Sequence, residues 1–265
     1  MNKYLGIIFA LCLILPHFAH ADITTGLYGE WKLNEGSGTT AADSSGNSNT
    51  GTLSGVVAPG WATGNLYASA LSNTVGTGGS GGYVSTTNAV VGNVFNMTES
   101  AWVYPTSLSG QSGFNLILST NNGQPFIEVN SSAQFTFSDR NNTLHIYTGT
   151  TIPTNTWTHL AVTCAFDNVA HSTTTMYING SQVKQDTGSN DCAFNFATMK
   201  WVIATYGLSL GNFGWAGRLQ DVRAYTRALT SSDIAELYAF PPVTVVLDRI
   251  KLMFGTFIRT GMFIR

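Results

Sequence analysis

Charge is scarce in this chain, at 10% of 265 residues, and what there is leans acidic. Residues 22–240 carry seven bases against thirteen acids, which argues against nucleic acid as a partner, because affinity for phosphate backbones is built on cationic neutralisation. Long hydrophobic runs are missing as well. The one candidate, Tyr4–Leu15, is followed by Pro16 and is shorter than the ~20 residues that span a bilayer. It sits between Met1-Asn2-Lys3 and the tripeptide Ala19-His20-Ala21, so residues 1–21 read as a cleaved signal peptide. Secretion or periplasmic export is therefore expected, with no stable membrane span after cleavage; an uncleaved anchor is the alternative.

Cysteine is nearly absent. Cys12 leaves with the leader, and the remaining pair, Cys164 and Cys192, cannot complete a four-ligand zinc site. In an oxidising compartment such a pair favours a disulfide, with two buried free thiols as the alternative. Catalytic signatures are lacking too. Two glycosidase carboxylates on one strand would stand two residues apart, yet Glu99, Glu128, Asp139 and Asp167 are isolated, and neither a Gly-x-Ser-x-Gly nor a His-Glu-x-x-His pattern occurs. His145, His159 and His171 fit no triad and are assigned no role. The chain is expected not to be an enzyme.

What is abundant is turn chemistry, with 28 glycines and many Thr, Ser and Asn residues. Between the turns runs period-two alternation: Leu27, Trp31 and Leu33 oppose Tyr28, Glu30 and Lys32. Similar stretches recur at 83–87, 101–104, 114–119, 126–130, 134–138, 144–148, 157–164, 175–178, 201–205 and 219–225. Asn179-Gly180 between two such stretches predicts a type I′ hairpin. One helix is expected, short and late, opened by Thr230 with Asp233 three residues on and packing Ile234, Leu237 and Tyr238. These features predict an all-β, two-sheet antiparallel sandwich of one domain, 22–240, with one short C-terminal helix.

Several separated segments carry a resemblance. They are Gly29-Glu-Trp-Lys-Leu-Asn-Glu-Gly-Ser-Gly38, Asp43-Ser-Ser-Gly-Asn-Ser-Asn-Thr-Gly51, Ser100-Ala-Trp-Val-Tyr-Pro105, Thr156-Trp-Thr-His-Leu-Ala-Val-Thr163, Tyr177-Ile-Asn-Gly180 and the stretch from Gly217 to Ile234. In this order they resemble the laminin-G-like jelly rolls of the concanavalin A-like lectin and glucanase superfamily. The resemblance implies a jelly-roll sandwich and a calcium ion held by the side chains of Asp43, Asn47 and Asp221 with the carbonyl of Gly51, a set rich in the hard oxygens calcium takes. The same residues admit a metal-free reading, in which Asp43 opens an Asx-turn and Asp221 pairs with an arginine.

Trp31, Trp102, Trp157 and Trp215 fall where the resemblance places sandwich core. Trp61 and Tyr206 stand in Gly-flanked loop sequence, where a ring can stack on a sugar or cap a sheet edge. The expected function is an exported carbohydrate-binding or adhesion module whose partner is a glycan or cell-surface polysaccharide. A structural, protein-binding extracellular domain is the alternative, and a polysaccharide hydrolase or lyase the more remote one. Residues 241–265 form a basic, apolar tail that reads as surface-associating or disordered.

Overall fold

The computed structural model describes residues 22–74, 81–88, 93–108, 114–139, 141–167, 171–189, 192, 194–195, 199–207 and 213–239. The leader, the tail and most of the Gly76–Gly82 run lie outside the described residues.

The first strands are β1 (Leu27–Trp31), β2 (Thr40–Ala41), β3 (Gly51–Gly55), β4 (Gly60–Thr63), β5 (Ser69–Asn73) and β6 (Gly82–Thr86). Next come β7 (Asn93–Val94), β8 (Met97–Pro105), β9 (Leu116–Thr120), β10 (Gly123–Val129), β11 (Phe135–Ser138) and β12 (Leu144–Tyr147). The last are β13 (Thr158–Phe166), β14 (His171–Ile178), β15 (Ser181–Ser189), β16 (Phe194–Asn195), β17 (Trp201–Ile203) and β18 (Gly217–Tyr225), followed by the helix α1 (Ser231–Ala239). Sixteen of them form two antiparallel sheets, and β7 pairs with β16 apart from these. Sheet A runs β15-β14-β13-β8-β18-β5-β4 with β1 also on β18, and sheet B runs β12-β11-β10-β9-β17-β6-β3-β2. The jelly-roll class expected from the sequence is the one observed.

Between the sheets lies a core with Trp31, Leu33, Val84, Met97, Ile117, Phe135, Phe137 and Trp215 fully buried. Cys164 and Cys192 are joined in it by a disulfide, with Cα atoms 5.4 Å apart, a normal separation for the bond.

On sheet A, β18 changes partner along its length: Gly217–Leu219 pair with β5 and Val222–Tyr225 with β1. The switch falls at Asp221, whose φ of +51° is tolerated by a short polar side chain. A register shift between Leu27 and Gly29 changes the predicted face of β1. Leu27 therefore packs in the second cluster, under the helix, while Trp31 and Leu33 stay in the inter-sheet core.

That second cluster comprises Ile23, Ala161, Tyr177, Tyr225, Leu229, Ile234 and Leu237, and it seats α1 on the outward face of sheet A. The helix begins in a capping box: Thr230 Oγ1 accepts the Asp233 N–H at 3.2 Å, and Asp233 Oδ2 accepts the Thr230 N–H at 2.9 Å. Arg227 completes the corner with an ion pair to Asp233 at 3.0 Å. Trp102, expected in the core, lies instead on this outward face, stacked on Tyr238 at 5.6 Å and beside His159 at 5.4 Å. Trp157 is likewise outside the core, half-buried against Tyr104. Burial, with a smaller push from Arg223, takes the His159 imidazole down to about 3, so it is neutral. The hairpin of β14 and β15 turns on Asn179 and Gly180 at φ +50° and +76°, as the Asn-Gly pair predicts.

Candidate functional site

The outward face of sheet B is built from residues that alternate with the core. Ile127 and Phe137 point into the sandwich, so their neighbours Phe126 and Ser138, which pair with each other, point out. Leu144 pairs with Ser138, and Leu116 with Glu128, which puts both on the same outward side. Here a cavity of about 280 Å³ opens, lined by Phe114, Leu116, Phe126, Asn142, Leu144, Tyr206 and Phe213.

Two glycines bring Tyr206 to it. Gly123 sits at φ +94° in the β9–β10 turn, where a Cβ would lie 2.6 Å from the Tyr206 hydroxyl, and a Cβ on Gly207 would run into the carbonyl of Thr120. The rings meet at right angles. Phe126 and Tyr206 are 6.0 Å apart at 89°, Tyr206 and Phe213 are 5.8 Å apart at 86°, and Phe114 and Phe213 are 5.7 Å apart at 84°. Such edge-to-face contacts suit the ring quadrupoles and make a corner instead of a flat platform. The Asn142 carbonyl oxygen accepts from Gln124 at 2.9 Å.

Leu144 also borders a second, polar pocket with Asn141, Thr143, His145, Asp186, Thr187 and Gly188. His145 bridges two carboxylates there: Nε2 is 3.0 Å from Asp139 Oδ2 and Nδ1 is 3.1 Å from Asp186 Oδ2. Burial alone would lower its pKa, but the hydrogen bonds and charges of Asp139 and Asp186 outweigh it and hold the imidazole above its ordinary value. Lys184 joins Asp186 at 2.9 Å and donates to the Ile146 carbonyl at 3.1 Å, so this cluster ties β12 of sheet B to β15 of sheet A. Asp139 is fully buried and caps its turn, accepting from the N–H groups of Asn141 and Thr143 at 2.8 Å each. Asp139 and Asp186 lie 6 and 41 residues from His145, which is why isolated acids and a lone histidine concealed the arrangement.

Beneath the same face Glu128 is almost fully buried, and its pKa is pushed up to about 8 by burial, against a hydrogen bond from the Asn115 N–H. At neutral pH it is protonated. Thr136 and Leu116 are its cross-strand neighbours, so its own face gives it no carboxylate partner there.

Trp61 lies elsewhere. It belongs to the edge strand β4 and not to a loop, packs against the core, and donates its indole N–H to the Gly38 carbonyl at 3.1 Å. The edge of sheet A that it occupies is the one opposite β15, so the structure does not bring Trp61 and Tyr206 together.

The carboxylates nominated for calcium already have partners. Asp43 Oδ1 accepts from the N–H groups of Glu30 and Ser45 at 3.0 and 2.9 Å, and Oδ2 accepts from Ser45 Oγ and the Asn49 N–H, both at 2.8 Å. Asn47 donates its amide to the carbonyls of Leu27 and Tyr28. Asp221 is paired with Arg223 at 3.1 Å, and Arg223 with Glu30 at 2.8 Å. Gly51 is a strand residue of sheet B, whereas Asp221 is in sheet A. As placed, with four donors already on Asp43 and an arginine on Asp221, these two carboxylates would have to exchange partners to hold a calcium ion, which takes six to eight oxygen ligands. They form the Asx-turn and arginine pair of the metal-free reading.

Residues 77–235 match the model of a laminin-G family described as the concanavalin A-like lectin/glucanases superfamily. Among solved structures, the chain is similar to domain 4 of AbnA, an extracellular GH43 arabinanase of Geobacillus stearothermophilus, solved in complex with arabinotriose. The TM-score is 0.59 and the identity 21%, over 80% of this chain and 98% of that one. It is also similar to the binding domain of Paraclostridial Mosquitocidal Protein 1, with TM-score 0.56, 17% identity and 81% of this chain covered. A third likeness is to botulinum neurotoxin type C, whose cell entry depends on two ganglioside molecules, with TM-score 0.54, 13% identity and 82% of this chain covered. The chain spans about half the length of the two toxin chains. No curated protein sequence matches it.

Proposed function

We infer, from the premise that this chain belongs to the concanavalin A-like lectin/glucanases superfamily, that it is a non-catalytic glycan-binding or adhesion module acting outside the cytoplasm. The observation that carries the reading is the aromatic cavity beside a polar pocket on the outward face of sheet B. Sugar sites combine a C–H face packed on rings with hydrogen bonds to hydroxyls, and both materials are present here. Structural neighbours bound to arabinotriose or dependent on gangliosides support the reading through the fold they share with this chain.

The superfamily includes glucanases, and the carboxylates argue against that branch. Hydrolysis needs one ionised and one protonated carboxyl flanking an open cleft. Asp139 is enclosed and committed to its turn and to His145, Asp186 is committed to His145 and Lys184, and Glu128 is enclosed and protonated. Export rests on the sequence of residues 1–21 and on the disulfide, which persists in oxidising compartments. Among the described residues no helix is long and apolar enough to cross a membrane. A glycan array probed with the purified protein tests the reading: it should reveal bound glycans, and reducing-sugar and double-bond assays on those hits should show no turnover. Turnover that disappears in Glu128→Gln would replace it with an enzyme.

A further inference from the structure

The cavity on sheet B is small, closed at its floor and, among the described residues, uncharged, and these three properties narrow its ligand. At about 280 Å³ it falls just under the roughly 300–1,000 Å³ of sites that enclose drug-sized molecules, so it has room for one ring and not for a run of them. Its floor is closed by Leu116 and Phe126, exposed by only 2% and 6%, so a ligand enters from one side and ends there. The walls are rings at 84–89° to one another, a corner that grips a compact apolar group, where a flat stacking platform would present one open ring face.

The polar provision is equally narrow. Asn142 has its carbonyl oxygen engaged by Gln124, which leaves its NH2 end as the donor for a ligand oxygen. No cation lines the cavity among the described residues, and the carboxylate next door is already paired, with Lys184 at 2.9 Å and His145 at 3.1 Å. Asp186 borders the adjoining pocket across Leu144, and the hydrogen bonds and charges of Lys184 and His145 outweigh its burial and keep it ionised. A carboxylate placed in this apolar cavity would lose its hydration with no cation among the described lining residues to replace it.

Resting on the reading of the chain as a glycan binder, we propose that this cavity receives one terminal, uncharged sugar residue carrying a methyl group, as in a 6-deoxyhexose, an O-methylated sugar or an N-acetylhexosamine, and that it excludes acidic glycans. The methyl group occupies the corner of Phe126, Tyr206 and Phe213. Asn142 donates to a ring, hydroxyl or acetamido oxygen, and the remaining hydroxyls turn toward Thr143 and Asp186.

Titration calorimetry on the purified protein tests this with methyl α-L-fucopyranoside, methyl α-L-rhamnopyranoside, N-acetylglucosamine, glucose and tri-galacturonic acid, after the glycan array. At least one methyl-bearing sugar should bind about tenfold more tightly than glucose, and tri-galacturonic acid should not bind. Tyr206→Ala should weaken that sugar by about tenfold or more, the order found when an aromatic stacking partner is removed. Leu144→Arg is the second variant, since Leu144 is 42% exposed at the rim and tolerates replacement; it should weaken the same sugar comparably while leaving the thermal melt in place. Glycans that bind through internal or acidic residues, or that bind both variants as well as the parent, overturn the cavity assignment and leave the glycan reading standing. An array with no bound glycan overturns that reading and the assignment with it.

Discussion

The outward faces of the two sheets carry the same kind of material and meet different fates. Sheet A presents Trp102, His159, Tyr177 and Tyr225, and the chain covers them itself, with α1 and the segment around Ile23. Sheet B presents Phe126, Leu116 and Leu144 beside Tyr206 and Phe213, and among the described residues a cavity remains open over them. Aromatic content therefore does not distinguish a site from a scaffold in this fold. The distinction lies in whether the sequence supplies a lid, and here one capped nine-residue helix makes one face structural.

The sharpest way to break the contrast is to remove the lid's anchor. Ile234, on the buried side of α1, is fully enclosed, and Ile234→Ala should cost about 2–5 kcal/mol in urea unfolding, with glycan affinity unchanged at temperatures where the fold persists. An equal loss of affinity would show that the two faces are coupled.

The open face has its own stability signature, through Glu128. Its folded pKa of about 8 exceeds the ordinary glutamate value, so its contribution is fully present below about pH 4.5 and is lost as pH rises through 8. The stability difference between the parent and Glu128→Gln should therefore change across that window by up to about 1.4 kcal/mol per pH unit. A difference that stays flat from pH 5 to 8 would mean that the carboxyl is hydrated.

A smaller effect tests how local the lid is. Thr230→Ala removes one capping hydrogen bond and should cost about 1 kcal/mol, read as a shift in the denaturation midpoint without a change in slope. The smallest effect expected is none. Because Asp43 accepts from N–H and O–H donors and Asp221 pairs with Arg223, a chelator should leave the melting temperature where it was. A drop in melting temperature would restore the calcium site that the family resemblance implies.

What was legible in the sequence was whatever depends on near neighbours. The Asn179-Gly180 turn, the Thr230 cap and the alternation of 135–138 and 158–164 are all set by residues within a few positions, and they are where the sequence places them. The disulfide followed from elimination. Where a long-range partner decides, the reading fails: a register shift at Gly29 sends Leu27 to the helix side, and pairing with β5 turns the Trp61 segment into a strand. The cavity gathers residues from 114 to 213, and the one aromatic signal that touched it, a Gly-flanked tyrosine, was equally true of Trp61.

The cluster around His145 has a consequence for how these molecules behave in a crowd. Edge strands are templates on which another chain can add itself, and both sheets here end in them. At one side of the sandwich the edges are brief, two residues in β2 and four in β4. At the other, β15 is nine residues long and would be an inviting strip, but it is clasped to β12 through Asp186, His145 and Lys184 and carries the charges of Lys184 and Asp186 near its middle. One ionic cluster of a chain low in charge thus stands on the longest edge strand of the sandwich, where charge discourages strand exchange between copies.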